Sequence, residues 1–167
     1  MFDYDNLLMT KGEFLRSYVR CERDIYKRDL AGFGWCDNTI ENCQFTRCTI
    51  RGVDFDFVAL INCEFKSCDF KRMNFHGAGF INTNFYNCKF KDCDFSKAHL
   101  QKCDFGFSTL KDTTFENANL SGAILKECTP VDCDFKGANL SGADLCHTFD
   151  GLKVNICGIQ VDNKTKF

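Results

Sequence analysis

The sequence predicts a solenoid built from short repeats, and three observations support this prediction. A large apolar residue, most often Phe, recurs every five residues from Ile40 to Leu145 without a change of phase. The residue two positions earlier is usually small, and the residue just before it is often Asp or Asn. A period of five fits neither a helix, with about 3.6 residues per turn, nor a strand, with about 2, whereas short-period self-similarity is typical of solenoids. We call each recurring apolar residue a centre, and the residue two positions before it the small position.

Length and composition indicate one domain without a strongly charged partner. The chain has 167 residues and a net charge of −2, which is too small to predict nucleic-acid binding or an acidic partner. No run approaches the roughly 18 apolar residues of a membrane span. The N-terminal segment, residues 1–5, has an acidic character and lacks the basic and apolar regions of a signal peptide. We therefore expect a cytoplasmic location and no membrane contact.

The thirteen cysteines do not indicate a disulfide framework. Their number is odd, and nine of them occupy the small position: Cys43, Cys48, Cys63, Cys68, Cys88, Cys93, Cys103, Cys128 and Cys133. Cys in such a position behaves as a small buried hydrophobe. We expect these residues to be reduced and to serve packing.

Residues 1–24 predict a helical segment that caps one end of the solenoid. Thr10 and Glu13 fit the capping-box pattern of a helix N-terminus. Four apolar residues then fall on one face of a helix over residues 11–23, namely Phe14, Leu15, Tyr18 and Val19. A terminal cap covers the exposed end of a solenoid, and a helix that binds a partner is the alternative. The period of five starts near residue 25, which places the repeat domain over residues 25–145 with an irregular first coil.

The repeats themselves resemble a known family. Twenty-two centres keep their phase between residues 40 and 145. Asn62-Cys63-Glu64-Phe65-Lys66 and the later Gly137-Ala138-Asn139-Leu140-Ser141-Gly142-Ala143-Asp144-Leu145 resemble the pentapeptide-repeat family, whose consensus is Ala-(Asp/Asn)-(Leu/Phe)-X-X. The resemblance implies an all-β fold, a right-handed quadrilateral β-helix in which four pentapeptides make one coil.

A coil of four pentapeptides requires residues twenty apart to stack, and the sequence meets this requirement. One column of centres is Phe throughout: Phe55, Phe75, Phe95, Phe115 and Phe135. A second contains Phe45, Phe65, Phe85 and Phe105, and one column of small positions reads Val58, Ala78, Ala98, Ala118 and Ala138. Centres and small positions should fill the interior together. The Asp or Asn before a centre should accept hydrogen bonds from backbone donors at the corners.

Two places depart from the regular pattern. Pro130 stands at a centre, and because Pro has no N–H for a β-ladder, we expect a bulge or an edge strand there. The phase is lost after Leu145, and within residues 146–167 an apolar–polar alternation follows through Leu152, Val154 and Ile156, then Ile159 and Val161. We expect a final capping strand followed by a frayed polar tail from Asp162.

The sequence offers no constellation for catalysis, a cofactor or a metal. His76, His99 and His147 fall at three different positions of the repeat, and none has a nucleophile or a carboxylate that the repeat would place beside it. Zinc needs four converging ligands, whereas successive Cys residues would project from different walls of a filled interior. Such an interior also leaves no cavity for a substrate. We therefore predict that the protein is not an enzyme and binds no cofactor or metal.

The surface between the centres is where binding is predicted. Phe57, Ile61, Ile81 and Tyr86 are apolar at outward positions, and contiguous exposed apolar surface often marks a contact site. The alternative is that the N-terminal helix covers them. A basic column, Arg51, Lys71, Lys91 and Lys111, lies beside a column of mixed charge. We interpret that face as a solvated surface, and nucleic-acid binding is not expected because the sign is not uniform.

The predicted function is a non-enzymatic repeat scaffold that binds another protein, with a second copy of the chain as an alternative partner. The resemblance also implies an alternative function, mimicry of duplex DNA that targets DNA gyrase or topoisomerase, as in the fluoroquinolone-resistance members of the family. Those members carry an acidic surface, whereas residues 36–145 contain 15 acidic and 12 basic residues. No insertion interrupts the phase to form the projecting loops of one branch of that group.

Overall fold

The computed structural model describes residues 24–26, 39–52, 54–148 and 154–167. Within these ranges the chain forms a parallel β-solenoid of stacked four-sided coils, which confirms the predicted right-handed quadrilateral β-helix. The predicted N-terminal helix, residues 11–23, lies outside the described residues. We number the faces of a coil 1 to 4 in chain order, starting with the face that contains the centre Ile40.

Three faces contain short parallel strands, and each strand surrounds one centre. Face 1 contains β2 (Thr39–Glu41), β5 (Ala59–Ile61) and β8 (Gly79–Ile81). Face 2 contains β1 (Asp24–Tyr26), β3 (Gln44–Thr46), β6 (Glu64–Lys66) and β9 (Asn84–Tyr86). Face 3 contains β4 (Thr49–Arg51), β7 (Asp69–Lys71), β10 (Lys89–Lys91), β11 (Thr109–Lys111) and β12 (Thr129–Val131).

Face 4 is held mainly by single parallel bridges, such as Asp54 with Asn74 and Asn74 with Asp94. It ends in β13 (Cys133–Asp134), which pairs with β14 (Val154–Asn155). The pairing register from β1 to β12 is twenty residues; Phe45, for example, pairs with Phe65. This register confirms that four pentapeptides make one coil.

The interior is filled by the centres and the small positions, as predicted. Both Phe columns stack ring on ring, with centroid distances of 4.6 Å between Phe45 and Phe65 and 4.8 Å between Phe115 and Phe135. Neighbouring columns meet edge to face, as Phe65 and Phe70 do at 5.3 Å. All nine cysteines at the small position are buried. Each fully buried Phe contributes roughly 2–3 kcal/mol through removal of apolar surface from water.

The corners explain which residues follow and precede a centre. The residue two positions after a centre lies in the left-handed region, with φ between 50° and 69°, and is usually Asn, Asp, Lys or Gly. At many corners the carboxylate or amide before the centre accepts a backbone N–H of the same corner. The N–H of Ser96, for example, donates to Oδ1 of Asp94 over 2.7 Å. The predicted role of Asp and Asn at the corners is thereby confirmed.

The corners are of two kinds, and the difference was not predicted. In a closed corner the N–H of the small residue donates to the carbonyl of the preceding centre, as Ala118 does to Phe115 over 2.9 Å. An open corner lacks this bond. Among the described residues Ala occupies the small position only at closed corners, and Cys or Thr is found at every open corner except the one that contains Met73.

At three open corners a side chain from the next coil takes the place of the missing bond. Oγ of Ser108 accepts the N–H of Cys88 over 2.9 Å and donates to the carbonyl of Phe85 over 2.7 Å. Sγ of Cys88 and Oγ1 of Thr83 bridge the two preceding corners in the same manner. These three open corners are thus completed by the coil that follows each of them.

Pro130 lies at an edge strand without a bulge. It is buried in β12, the outermost strand of face 3 in the described structure, and it pairs with Leu110 in the common register. Centre N–H groups donate towards the next coil, as Phe80 does to His99. Pro130 therefore breaks no bond to the coil before it.

The C-terminal segment forms part of one further coil, with the register shifted. Gln160 bridges to Asn139, 21 residues earlier, and Lys166 bridges to Asp144, 22 residues earlier. The expectation of a frayed tail is wrong, because Oδ1 of Asp162 accepts the N–H of Gly142 over 2.8 Å and also closes its own turn.

Candidate functional surface

Three of the buried thiols are unsuited to nucleophilic or metal chemistry. Burial raises the pKa of Cys93, Cys103 and Cys128 to about 12, so these thiols stay protonated near neutral pH. In the part of the chain that the structure describes, no three His, Cys, Asp or Glu residues are grouped as a metal site would require. The same residues include no helix of the length and hydrophobicity of a membrane span.

Ile61 and Ile81 lie side by side on face 1. They are paired residues of the adjacent strands β5 and β8. Ile61 is half-buried, whereas Ile81 is 54% exposed. The equivalent positions of the later coils are polar, with Gln101 next and Ser121 after it. Face 1 therefore carries a short apolar strip that spans two coils.

A groove of about 440 Å³ adjoins this strip. Its lining residues come from two successive coils: Gly79, Phe80, Ile81, Asn82, His99, Gln101 and Lys102. Gly79 leaves open space on this side of the groove, because a Cβ added to it would meet no atom within 4 Å. The groove thus combines one apolar wall, Ile81, with polar groups along its other edge.

The corner between faces 1 and 2 gives the strip a regular polar border. Nδ2 of Asn62 donates to Oδ1 of Asn42 over 3.2 Å, and Nδ2 of Asn82 donates to Oδ1 of Asn62 over 3.1 Å. These residues take the left-handed conformation that Asn tolerates well. The strip is therefore held in one geometry by the ladder beside it.

Phe57 lies at the corner between faces 4 and 1, and the structure does not bring its ring into the isoleucine strip. Its ring covers Gly77 and meets the His76 ring edge to face at 5.8 Å. The side chain is 62% exposed, and φ is 53°. A bulky residue in this region is uncommon and costs roughly 1–2 kcal/mol. Phe57 is thus both strained and solvent-exposed.

Tyr86 lies on face 2 and belongs to a separate aromatic pair. Its ring meets Phe107 at 5.6 Å with the planes 66° apart. Tyr86 is 39% exposed and Phe107 is 53% exposed, with φ of 59° at Phe107. The four predicted residues thus fall into three places: the Ile61–Ile81 strip, the Phe57 corner and the Tyr86–Phe107 pair.

Sequence reasoning missed the groove and the partner of Tyr86. Gly79 stands between Ala59 and His99 in its column, and a missing side chain beside an exposed Ile was the signal for a groove. Phe107 occupies a corner position at which Asn, Asp, Lys and Gly are the usual residues. An aromatic residue at such a corner is the signal that could have identified Phe107, as it could for Phe57.

Comparisons with known proteins agree with this architecture. The family model described as a pentapeptide repeat region matches residues 38–115, and the one described as pentapeptide repeats matches residues 115–149. A search of curated proteins finds none that matches the sequence.

Solved structures of pentapeptide repeat proteins are similar to the chain. HetL from the cyanobacterium Nostoc sp. strain PCC 7120, which is involved in heterocyst differentiation regulation, has a TM-score of 0.56 at 16% identity. That match covers 90% of this chain and 79% of HetL. QnrB1, a plasmid-mediated fluoroquinolone resistance protein, has a TM-score of 0.42 at 19% identity. The match covers 75% of this chain and 82% of QnrB1. A pentapeptide repeat protein from the Arabidopsis thaliana thylakoid lumen has a TM-score of 0.39 at 29% identity. The match covers 62% of this chain and 66% of the Arabidopsis protein. Two family models in succession and the four-sided coils lead to one conclusion: the chain belongs to the pentapeptide repeat family.

Proposed function

We propose that the protein is a non-enzymatic scaffold that binds another protein through face 1. The observation that carries this proposal is the exposed Ile81 beside the groove that Gly79 opens. A partner that covers the exposed half of Ile81 would gain about 1 kcal/mol from this side chain alone. The polar groups at His99 and Gln101 supply hydrogen bonds that can orient the partner.

The strained aromatic corner supports the same proposal. Phe57 would be less strained as Asn or Gly, which the fold uses at equivalent corners such as Asn117 and Gly137. An exposed Phe in this position contributes little to folding and offers a rigid ring to a partner. Backbone strain of this kind clusters at functional sites, and aromatic residues are enriched in the contacts that carry most binding energy.

The test compares two substitutions that change the charge equally within one surface column. Ile61→Lys/Ile81→Lys alters the strip, and Ser121→Lys/Ser141→Lys alters the same column two or more coils later. A photo-reactive amino acid at position 81 of the otherwise unmodified protein first captures the partner in the native host. We expect the first variant alone to lose binding of that partner. Both variants should unfold at the urea concentration of the unmodified protein.

Marked destabilisation of the Ile61→Lys/Ile81→Lys variant alone would instead mean that another segment of the chain packs on the strip. Equal loss of the partner in both variants would contradict the proposed site. Sedimentation of the purified protein decides whether a second copy is the partner. A cytoplasmic location stays a prediction.

The alternative function, mimicry of duplex DNA towards gyrase or topoisomerase, receives less support from the surface. Face 3 presents four stacked cations, Arg51, Lys71, Lys91 and Lys111, where a DNA mimic needs acidic groups. A supercoiling assay with and without a quinolone tests this alternative. Full gyrase activity at high concentrations of the protein would exclude it.

A further inference from the structure

Face 3, on the opposite side of the rod from face 1, carries the basic column Arg51, Lys71, Lys91 and Lys111. The strand register pairs each of these residues directly with the next one. All four side chains are exposed. Adjacent strands lie about 4.8 Å apart, so the column extends over about 14 Å.

The basic column does not stabilise the fold. Like charges directly opposite each other on neighbouring strands are destabilising. On face 4 the equivalent outward position shows the favourable arrangement, because Nζ of Lys136 lies 3.0 Å from Oε1 of Glu116 in the preceding coil. Lys71, Lys91 and Lys111 take part in no ion pair within the described residues.

The surroundings of the column make it a narrow cationic strip. The neighbouring column on the same face is nearly neutral: Thr49, Asp69, Lys89, Thr109 and Thr129. The corner on the other side is acidic from the third coil onwards, with Asp92, Asp112 and Asp132. A nucleic-acid duplex is wider than the column and carries charge on both of its strands, so this acidic edge would repel it.

The aromatic side chains also argue against a single-stranded nucleic acid. Such ligands are bound by basic grooves in which aromatic rings stack on the bases. Phe107 is the aromatic residue at the corner that borders face 3, and its ring packs against Tyr86 of face 2. Face 3 itself therefore presents cations and threonines without a stacking platform.

We propose that the basic column of face 3 binds an extended acidic segment of a partner protein. Alternate side chains of an extended segment lie about 6.6–6.8 Å apart, so three acidic side chains on one side extend over about 13 Å. That length matches the column. The interaction is electrostatic and exposed to solvent, so it weakens as the salt concentration rises.

The probe is a fluorescein-labelled peptide of alternating Glu and Ser, compared with the same peptide in which Gln replaces Glu. We expect the acidic peptide alone to bind the full chain, with an affinity that falls with salt. Lys71→Glu/Lys111→Glu is expected to weaken this binding at least about tenfold. The control Lys97→Glu/Lys126→Glu changes the net charge equally at exposed positions outside face 3, and its binding should stay within about twofold of the unmodified protein at roughly 0.1 M salt.

Stability provides a second readout that a merely structural role would not give. Lys71→Glu/Lys111→Glu turns the column into alternating charges, so we expect its melting temperature to rise by about 2–6 °C while binding is lost. A fall in melting temperature would overturn the proposal, and so would equal weakening by both double variants or equal binding of the two peptides. Tighter, column-dependent binding of oligothymidine or of anionic vesicles would also overturn it, in favour of a nucleic acid or a membrane.

Discussion

Ser108 is the side chain whose removal tests the open corners most directly. It is buried, and its Oγ bridges the N–H of Cys88 and the carbonyl of Phe85 in the preceding coil. Ser108→Ala leaves both backbone groups buried without a partner among the described residues, since the N–H of Gly106, which could otherwise reach Phe85, donates to Asp104. The side-chain volume hardly changes, so the substitution isolates the hydrogen bonds.

The expected loss follows from the two backbone groups. An unsatisfied buried donor or acceptor costs about 1–3 kcal/mol, and partial closure of the corner would recover some of this. We expect Ser108→Ala to lower the free energy of unfolding by about 2–4 kcal/mol. For a chain of this size about 3 kcal/mol corresponds to a fall in melting temperature of about 6–12 °C. Urea unfolding and calorimetry measure both quantities.

Two controls separate the bridge from other effects. Ser108→Cys keeps a bridging side chain of the type that Cys88 provides in the coil before it, and should cost clearly less than the Ala variant. Ala118→Ser directs a hydroxyl at the corner of the preceding coil, which is already closed because the N–H of Ala98 donates to Phe95, and should not stabilise the protein. A loss below about 0.5 kcal/mol for Ser108→Ala, with the corner still open in its crystal structure, would refute the reasoning.

Three further predictions concern other parts of the rod. Gly77→Ala should lower the free energy of unfolding by about 1–2 kcal/mol, because φ is +61° and the new Cβ would lie 2.5 Å from Cε1 of Phe57. Urea unfolding measures this loss. A second substitution, Phe57→Ala, should recover the part of the loss that comes from the clash with the Phe57 ring. At pH 8 N-ethylmaleimide should label the exposed Cys157 in the native protein and leave Cys93 unlabelled until the protein unfolds. The reason is that burial raises the pKa of Cys93 to about 12. Mass spectrometry of peptides shows which thiol reacted. Desolvation raises the pKa of the Asp162 carboxyl, but hydrogen bonds from neighbouring backbone N–H groups outweigh this effect and lower the pKa overall. The stability that Asp162 contributes is therefore present above the ordinary carboxyl pKa and is lost as the pH falls through the lowered one. Proteolysis of the C-terminal coil by an acid-tolerant protease should become faster over that range, and Asp162→Asn should weaken this dependence.

Most of the fold could be predicted from the sequence because the repeat reports the environment of each residue directly. A Phe at every fifth position and a small residue two positions before it leave one way to fill a narrow interior. The two kinds of corner could not be predicted in the same way, since they depend on contacts between residues 20 and 23 apart. The choice between Ala and Cys at the small position was visible in the sequence, but its cause was not.

The C-terminal coil and the candidate surface show where sequence reasoning stops. Extra residues shift the register from 20 to 21 and then to 22, and these shifts hide Ile156 and Val161 as centres. The outward positions of Ile61 and Ile81 followed from the period alone. The groove beside them did not, because it depends on residues of two coils and on the absence of a side chain at Gly79.

The two kinds of corner give the rod a direction. Closed corners, which complete their own hydrogen bonds, predominate after Phe95, whereas open corners predominate before it. The three bridged open corners of the first half are complete only when the following coil is in place, as Ser108 shows for the corner of Cys88. Each repeat of a solenoid is stabilised by its nearest neighbours, and here these contacts make the first half depend on the second. Ordering should therefore begin in the second half of the chain and grow towards the N-terminus, and amide exchange should be fastest at the end that is completed last.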